Sequence, residues 1–250
     1  VRHAPDAAAN DLRRDPELGA AHCTMGFRKG VHEFDWPGAE REFKRALDLS
    51  PSSDDTYDLY GRLCAAVGRF DEAFALLQRA KELDPLAHRM DLTTTLVRAG
   101  LYDEGVVAAE NGVDLDPSYG RARATLGWAY FLSGRKDEGI AELEKAVSFS
   151  RTNTLWLGQL GEAYAMAGIT AKARKILREL EERAKTAYVS PYHFAYVYTG
   201  LGDLERALDW LERAVKERTG PAYSIKGSFL FKRLQTHPRF RALLKQMKLE

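Results

Sequence analysis

Apolar residues recur at intervals of three and four along residues 54–85, and this spacing is typical of one face of an α-helix. The pattern is interrupted at Gly68 and ends at Asp84 and Pro85, because proline cannot continue a helix and disfavours helical angles in the residue before it. The stretch therefore predicts two short helices that share an apolar core. The core positions of the first helix are Leu59, Leu63, Cys64 and Val67, and those of the second are Phe70, Ala73, Phe74, Leu77 and Ala80.

From Gly127 onward the same pattern returns at steps of 34 residues, which makes the helix pair a repeat unit. Gly61, Gly127 and Gly161 share one position of the first helix, although glycine inside a helix costs about 1 kcal/mol relative to alanine. We therefore expect neighbouring helices to touch closely at these positions. A helix pair this short cannot bury its apolar face alone, so the units must stack on one another. Two further positions keep the step, namely Gly134, Gly168 and Gly202, and Gly139, Ala173 and Ala207.

The combination of Gly61, Gly68, Ala73, Ala80 and Pro85 resembles the tetratricopeptide repeat, which is a helix-turn-helix unit of 34 residues. The resemblance implies an all-α fold, a right-handed superhelical solenoid of six repeats over residues 18–220. The repeats are expected at about residues 18–51, 52–85, 86–117, 118–151, 152–185 and 186–219. Residues 1–17 are expected to form a partial N-terminal helix, and residues 221–250 are expected to form a C-terminal helical cap.

Two repeats depart from the regular length. The first carries one extra residue in its turn, between Phe34 and Trp36, and the third is two residues short. The third repeat also has Thr93, Gly105 and Gly112 where the others mostly have glycine, alanine and alanine. We therefore expect the packing of the third repeat to be the loosest.

After Gly220 the period stops, and two short amphipathic helices are predicted, one from Phe229 to Leu234 and one beginning at Pro238. Such helices commonly cover the apolar end of a stack of repeats. Residues 221–250 contain seven basic side chains and one acidic side chain, which gives a net charge of +6. The segment is therefore expected to dock on an acidic neighbour, and the alternative is a contact with nucleic acid or a membrane surface.

Composition predicts no membrane span, because hydrophobic residues make up 45% of the chain and no apolar run approaches about 18 residues. No secretory leader is visible after Val1, so a cytoplasmic location is expected, and the missing initial methionine indicates a fragment of a longer protein. Cys23 and Cys64 lie far apart and are interpreted as buried thiols rather than zinc ligands. We therefore expect no metal site.

Motifs of catalysis and phosphate binding are missing from the sequence. It contains no HExxH, GxSxG or GxxxxGK[ST], and Gly200 and Gly202 belong to a turn between two predicted helices. We therefore expect no active site, no cofactor and no small-molecule substrate.

Three phrases resemble the C-terminal repeat region of bacterial signalling proteins, namely CadC-like transcription regulators, nucleotide cyclases and Ser/Thr kinases. These phrases are EFDWPGAEREFKRALDLSP at residues 33–51, SPYHFAYVYTGLGDLERALDWLERAVKERTG at residues 190–220, and HPRF at residues 237–240. The last phrase has histidine where those proteins have aspartate. The resemblance implies a regulatory or sensory segment of such a protein.

Three functions remain open at this point. A stack of helix pairs presents an extended surface suited to a peptide or a helix, so the leading hypothesis is a non-catalytic protein-interaction module. The alternative is the regulatory segment that the resemblance implies. The third hypothesis is an enzyme.

The face of the first helices that the core does not use predicts where a partner binds. In the fourth to sixth repeats this face brings aromatic residues together with polar ones, and aromatic residues and arginine dominate the hot spots of protein interfaces. The alternative is that Trp128 and Phe131 only fill space between neighbouring helices. The predicted groove residues are Arg98, Arg121, Trp128, Phe131, Gln159, Glu162, Tyr192 and Tyr196.

One function of the repeat family can be tested residue by residue. Cochaperones of this family hold the acidic carboxy-terminal tail of heat-shock proteins with lysines, an arginine and asparagines on their first helices. The resemblance implies no such clamp in this chain, because the corresponding positions hold other residues. They are Asp58, Leu59, Arg62, Met90, Asp91 and Thr125.

Overall fold

A computed structural model describes residues 18–250, and every regular element within them is helical. The predicted all-α fold class is confirmed. The partial helix expected at residues 1–17 lies outside the described residues. The helices are α1 Gly19–Arg28, α2 Trp36–Leu49, α3 Asp54–Val67, α4 Phe70–Leu83, α5 Arg89–Ala99, α6 Tyr102–Leu115, α7 Gly120–Leu132, α8 Lys136–Phe149, α9 Thr154–Met166, α10 Thr170–Ala184, α11 Pro191–Leu201, α12 Leu204–Lys216 and α13 Pro238–Gln246. A π-helical turn, Lys29–Glu33, follows α1, and two 3₁₀ segments, Gly220–Ser224 and Phe229–Leu234, lie between α12 and α13.

Local sequence signals determine where many of these helices begin and end. The side chains of Ser53, Asn153 and Ser190 accept hydrogen bonds from backbone N–H groups in the first turns of α3, α9 and α11. Most first helices end at a glycine with φ between 78° and 97°, a conformation that glycine adopts without the steric cost of a Cβ atom. These glycines are Gly68, Gly100, Gly134, Gly168 and Gly202.

Glycines inside the first helices mark close contacts with the neighbouring helix. A Cβ atom at Gly61 would lie 2.7 Å from Cγ of Leu77, and one at Gly127 would lie 2.8 Å from the carbonyl oxygen of Gly139. Neither distance leaves room for a side chain. The close approach predicted at these positions, and at Gly161, is confirmed.

The extra residue of the first repeat is accommodated at the end of its first helix. The turn Lys29–Glu33 is π-helical, and Phe34 follows it with a left-handed φ of 53°. A π-turn holds one residue more than an α-turn, so the insertion is absorbed before α2 begins. Asp35 then accepts a hydrogen bond from the backbone N–H of Gly38 and caps α2.

The described chain divides into two compact units, and the boundary falls inside α5 between Thr95 and Leu96. Unit 1 contains residues 18–95, 223–227 and 244–250. In its core the rings of Phe43 and Tyr60 stack with centroids 5.1 Å apart. The C-terminal residues of unit 1 pack on its helices, since the Trp36 Nε1–H donates a hydrogen bond of 2.7 Å to the carbonyl of Met247.

Unit 2 contains residues 96–222 and 228–243. Each first helix packs on its own second helix in the pairs α7–α8, α9–α10 and α11–α12, and the first helices α9 and α11 also pack on each other. Leu143, Leu180 and Leu211, one from each second helix, are fully buried. Burying a leucine side chain completely stabilises a fold by about 1.5–3 kcal/mol, so this layer is a principal contribution to the stability of unit 2.

Residues 221–250 differ from the single terminal cap expected from the sequence. Residues 223–227 belong to unit 1, where the backbone N–H of Gly227 donates a hydrogen bond of 2.9 Å to the carbonyl of Ala66 in α3. Residues 228–243 belong to unit 2. In unit 2 Arg239 forms ion pairs with Glu205, Asp209 and Glu212 along α12, so α13 docks on an acidic helix. The segment therefore lies on more of the repeat surface than an end cap requires.

Among the helices of residues 18–250, none combines the length and the apolar character needed to cross a lipid bilayer.

Candidate functional site

The first helices of unit 2 bring aromatic and polar side chains together on one face. Tyr192 and Tyr196 of α11 meet edge to face with ring centroids 4.9 Å apart. Trp128 of α7 donates a hydrogen bond of 3.0 Å from Nε1 to the Gln159 side chain of α9. Glu162 of α9 lies one turn after Gln159 and near Tyr196. We call these five residues the aromatic face.

A segment of the same chain, Ser228–Leu234, covers the aromatic face, and we call it the covering segment. Its Phe229 lies edge to face with Trp128 at a centroid distance of 5.3 Å. Its Phe231 stacks parallel to Tyr196 at 5.4 Å and meets the edge of Tyr192 at 5.1 Å. Phe231 is fully buried, and full burial of a phenylalanine contributes about 1.5–3 kcal/mol. The aromatic face therefore already holds a short peptide segment through its aromatic side chains.

Arg233 fixes the far end of the covering segment. Its Nη1 donates hydrogen bonds of 3.2 Å to the carbonyl of Thr199 and 3.3 Å to the carbonyl of Gly200. These carbonyls lie in the last turn of α11, where free carbonyl groups and the helix dipole favour a cation. Phe229, Phe231 and Arg233, at alternate positions of the segment, thus contact α7 or α11.

Glu162 is the exception to the good pairing of this site. The residue is only 1% exposed, yet its Oε2 atom has no hydrogen-bond partner among the described residues. Burial raises the pKa of this carboxyl well above its usual value, and the nearby charge of Arg233 opposes the shift only in part. A buried polar atom without a partner costs about 1–3 kcal/mol, so the covering segment leaves one group of the face unsatisfied.

The remaining predicted groove residues also lie in unit 2. Phe131 packs edge to face on Trp128 with centroids 5.6 Å apart, and Arg98 lies near enough to Tyr196 to act on its charge. Arg121 is half-buried on α7. Trp128 and Phe131 are buried, so they fill space in the unit, and Trp128 additionally contacts the covering segment.

Sequence reasoning missed the partners that the covering segment contributes, namely Phe229, Phe231 and Arg233. The signal available was an amphipathic pattern after the last repeat, and it was interpreted as an end cap. The repeat period carries no information on a segment outside it. The location of Ser228–Leu234 on the first helices of unit 2 therefore required the structure.

Unit 1 holds a second cluster of charged side chains, around the buried His88. Its Nε2 lies 2.8 Å from Oδ2 of Asp54, and its Nδ1 lies 3.5 Å from Oδ1 of Asp58. Arg62 reaches Asp58 at 3.3 Å and Asp91 at 3.4 Å. Burial lowers the pKa of His88, but the hydrogen bond to Asp54 and the charges of Asp58 and Asp54 outweigh it, so the pKa is raised.

The imidazole of His88 and the carboxylates of Asp54 and Asp55 are also the group, among the described residues, whose spacing suits a metal ion. Their ligand atoms lie within 4.8 Å of one another. Asp54 already pairs with His88, and Asp54 and Asp55 begin α3, where acidic side chains interact favourably with the helix dipole. The arrangement is accounted for as a structural ion pair.

Comparison with protein-family models finds the tetratricopeptide repeat in this chain. One model with that description matches residues 35–88 and 91–154, and a second matches residues 192–218. A search of curated proteins found no match.

Several solved structures resemble this fold. A tetratricopeptide repeat protein from Parabacteroides merdae ATCC 43184 is 14% identical, with a TM-score of 0.63, over 88% of this chain and 91% of that one. PilW, a type IV pilus biogenesis factor, is 18% identical, with a TM-score of 0.58, over 74% of this chain and 87% of its own. MamA from Desulfovibrio magneticus RS-1, from residue 41 onward, is 18% identical, with a TM-score of 0.53, over 68% of this chain and 98% of that chain. At these identities the similarity shows the fold alone.

Proposed function

Since the chain belongs to the tetratricopeptide repeat family, we propose that it is a non-catalytic protein-interaction module that binds a peptide segment of a partner on the aromatic face. The observation that carries this proposal is the covering segment itself. Phe231 lies between Tyr192 and Tyr196, so the face has the size and chemistry to hold a short segment rich in aromatic residues. A partner segment of similar chemistry would use the same contacts.

The composition of the aromatic face supports binding of a protein rather than of a small metabolite. Tryptophan and tyrosine combine a large apolar area with one polar group and are enriched at the centres of protein interfaces. The polar side chains of the face, such as Gln159 and Glu162, can fix the register of a bound backbone or side chain. None of them is paired with a nucleophile, which agrees with a binding role.

The test begins with a random-peptide library presented to the immobilised chain. We expect selected peptides to carry aromatic residues, and we expect Trp128→Ala and Tyr196→Ala to weaken their binding about tenfold or more in isothermal titration calorimetry. Gln159→Ala is the milder variant, because it keeps every ring of the face. Tyr188→Ala, which removes a 69% exposed tyrosine of the same unit, is the matched control and should bind normally.

A thermal melt of each variant separates binding from folding. Loss of binding at a nearly unchanged Tm supports the aromatic face as the binding site. A large fall in Tm with binding retained would show that Trp128 and Tyr196 serve only the core, and that partners bind elsewhere. Failure of every peptide to bind the chain would contradict the proposed function itself.

A further inference from the structure

The fit between the aromatic face and the covering segment is good at two positions and poor at a third. Phe229 and Phe231 find aromatic partners, whereas Oε2 of the buried Glu162 has none. Arg233 is the nearest cation of the segment, but its guanidinium donates to the carbonyls of Thr199 and Gly200 instead. A buried carboxyl group that faces an occupied peptide site without a donor indicates that the present occupant is not the best one.

We infer that the partner segment carries two aromatic residues two positions apart followed by a lysine or arginine that pairs with Glu162, and that it displaces Ser228–Leu234 from the aromatic face. This inference rests on the proposed function and names the chemistry of its partner. The covering segment then acts as an intramolecular competitor. Its two phenylalanines imitate the partner, and the unpaired Glu162 lets the partner bind more tightly than the imitation.

Several features of the covering segment suit a displaceable occupant. Phe229 is only partly buried, and the Ser228 side chain makes no capping hydrogen bond to the turn that follows. The backbone of Phe231, at φ −106° and ψ 17°, interrupts the 3₁₀ helix. The segment is therefore held mainly by ring contacts and by Arg233, and a competing peptide can replace both kinds of contact.

The first experiment measures competition in the full chain. The probe is a fluorescently labelled peptide of residues 228–235, Ser-Phe-Leu-Phe-Lys-Arg-Leu-Gln, and binding is followed by fluorescence anisotropy. We expect the double variant Phe229→Ala with Phe231→Ala to bind the probe at least about tenfold more tightly than the unmodified chain, because a tethered competitor acts at high effective concentration. Arg233→Ala, which keeps both rings, is the second variant and should shift affinity in the same direction. Arg241→Ala, an exposed arginine of α13, is the matched control.

The second experiment tests the role of Glu162. Peptides with Phe-x-Phe fixed and all later positions randomised are selected on the Phe229→Ala, Phe231→Ala chain. We expect lysine or arginine to be enriched at one of the later positions, and Glu162→Gln to remove that enrichment and to weaken the best basic peptide about tenfold. Peptides with a neutral residue at that position should bind the Glu162→Gln chain unchanged. Glu181→Gln, on the exposed side of α10, is the matched control and should keep the enrichment.

Each negative result points to a different conclusion. Aromatic peptides that bind without a basic preference, or with one that persists in Glu162→Gln, would overturn this inference and leave the proposed function standing. Equal affinity of the probe for the unmodified chain and for both releasing variants would show that Ser228–Leu234 does not compete. Light scattering that shows the released chains exchanging this segment as dimers would make a second copy the partner and would also overturn the inference. Absence of any peptide binding would refute the inference and the proposed function together.

Discussion

Glycine recurs on the first helices because a side chain at those positions would collide with a neighbouring helix. At Gly161 a Cβ atom would lie 2.7 Å from Cγ2 of Val197 and 3.0 Å from Cγ2 of Ile176. The cost of glycine inside a helix, about 1 kcal/mol, is therefore offset by the close packing of α9 against α10 and α11.

Gly161→Leu should destabilise the protein by about 1–3 kcal/mol, because the larger side chain overpacks the contact with Val197 and Ile176. Urea denaturation measures the change. Ala171→Leu, at an exposed position of α10, is the control and should change the free energy of unfolding by less than about 0.5 kcal/mol. An unchanged Tm for Gly161→Leu would mean that the helices are not in close contact there.

His88 links the stability of unit 1 to pH. Folding raises its pKa, so its protonated form stabilises the native state below the unfolded pKa of about 6.5, and this contribution is lost as pH rises through the folded value. Asp54 has a lowered pKa because of its hydrogen bond to His88, so its contribution is present above its unfolded pKa and is lost only as pH falls in the acid range. The pKa of Asp58 is raised, chiefly by burial and by the charge of Asp91, and Arg62 opposes this shift.

The free energy of unfolding should therefore fall between pH 6.5 and 8.5 more steeply in the unmodified chain than in His88→Gln. Urea titrations at half-unit steps of pH give the two slopes. His32→Gln removes an exposed histidine of the same unit and should leave the slope of the unmodified chain intact. Equal slopes for His88→Gln and the unmodified chain would show that the ion pair with Asp54 does not form in solution.

At the scale of elements, the pair α5 and α6 differs most from the other helix pairs. α5 spans 11 residues, whereas the other first helices with regular spacing, α3, α7 and α9, span 13 or 14. Gly105 and Gly112 lie in α6 where other second helices mostly have alanine, and glycine lowers helix stability. The nearest-neighbour contacts that stabilise repeat proteins are fewer for a short helix.

Amides of residues 88–113 should consequently exchange faster with deuterium than those of residues 120–180. Hydrogen exchange followed by mass spectrometry measures both regions in one experiment, so the second region is the internal control. We expect the protection of residues 88–113 to disappear at a lower urea concentration. Equal protection of the two regions would refute the expectation that the third repeat is the loosest.

At the scale of the whole molecule, the charges of the first helices decide which partners are excluded. In unit 1 Asp58 and Asp91 are buried acidic residues at positions where cochaperones of this family present cations or asparagines. Arg62 is paired with both of them, so its charge is already neutralised. This part of the chain therefore has no free basic clamp to offer an acidic peptide.

We predict no micromolar binding to the acidic carboxy-terminal tails of heat-shock proteins. A synthetic tail peptide titrated into the chain by calorimetry should give no measurable heat up to about 100 µM. A Kd near 1 µM corresponds to about 8 kcal/mol of binding free energy, which unit 1 cannot supply without free cations. Such a Kd would contradict the prediction, and its loss in Arg62→Ala would identify the residue responsible.

The sequence by itself determined the helix pairs, their all-α fold class and the glycines at the close contacts. These features follow from local rules, since the spacing of apolar residues, the caps and the 34-residue step all act between neighbours in sequence. Arg98, Trp128, Gln159, Glu162, Tyr192 and Tyr196 were likewise identifiable, because their positions on the first helices repeat with the same step.

Only the tertiary structure decided what lies on that face and what His88 pairs with. Phe231 meets Tyr192 and Tyr196 across more than 30 residues of chain, and His88 meets Asp54 across 34 residues in a different repeat. Such contacts depend on the path of an irregular segment and on the exact packing of helices. A periodic pattern specifies neither, because the residues that end up together share no common spacing.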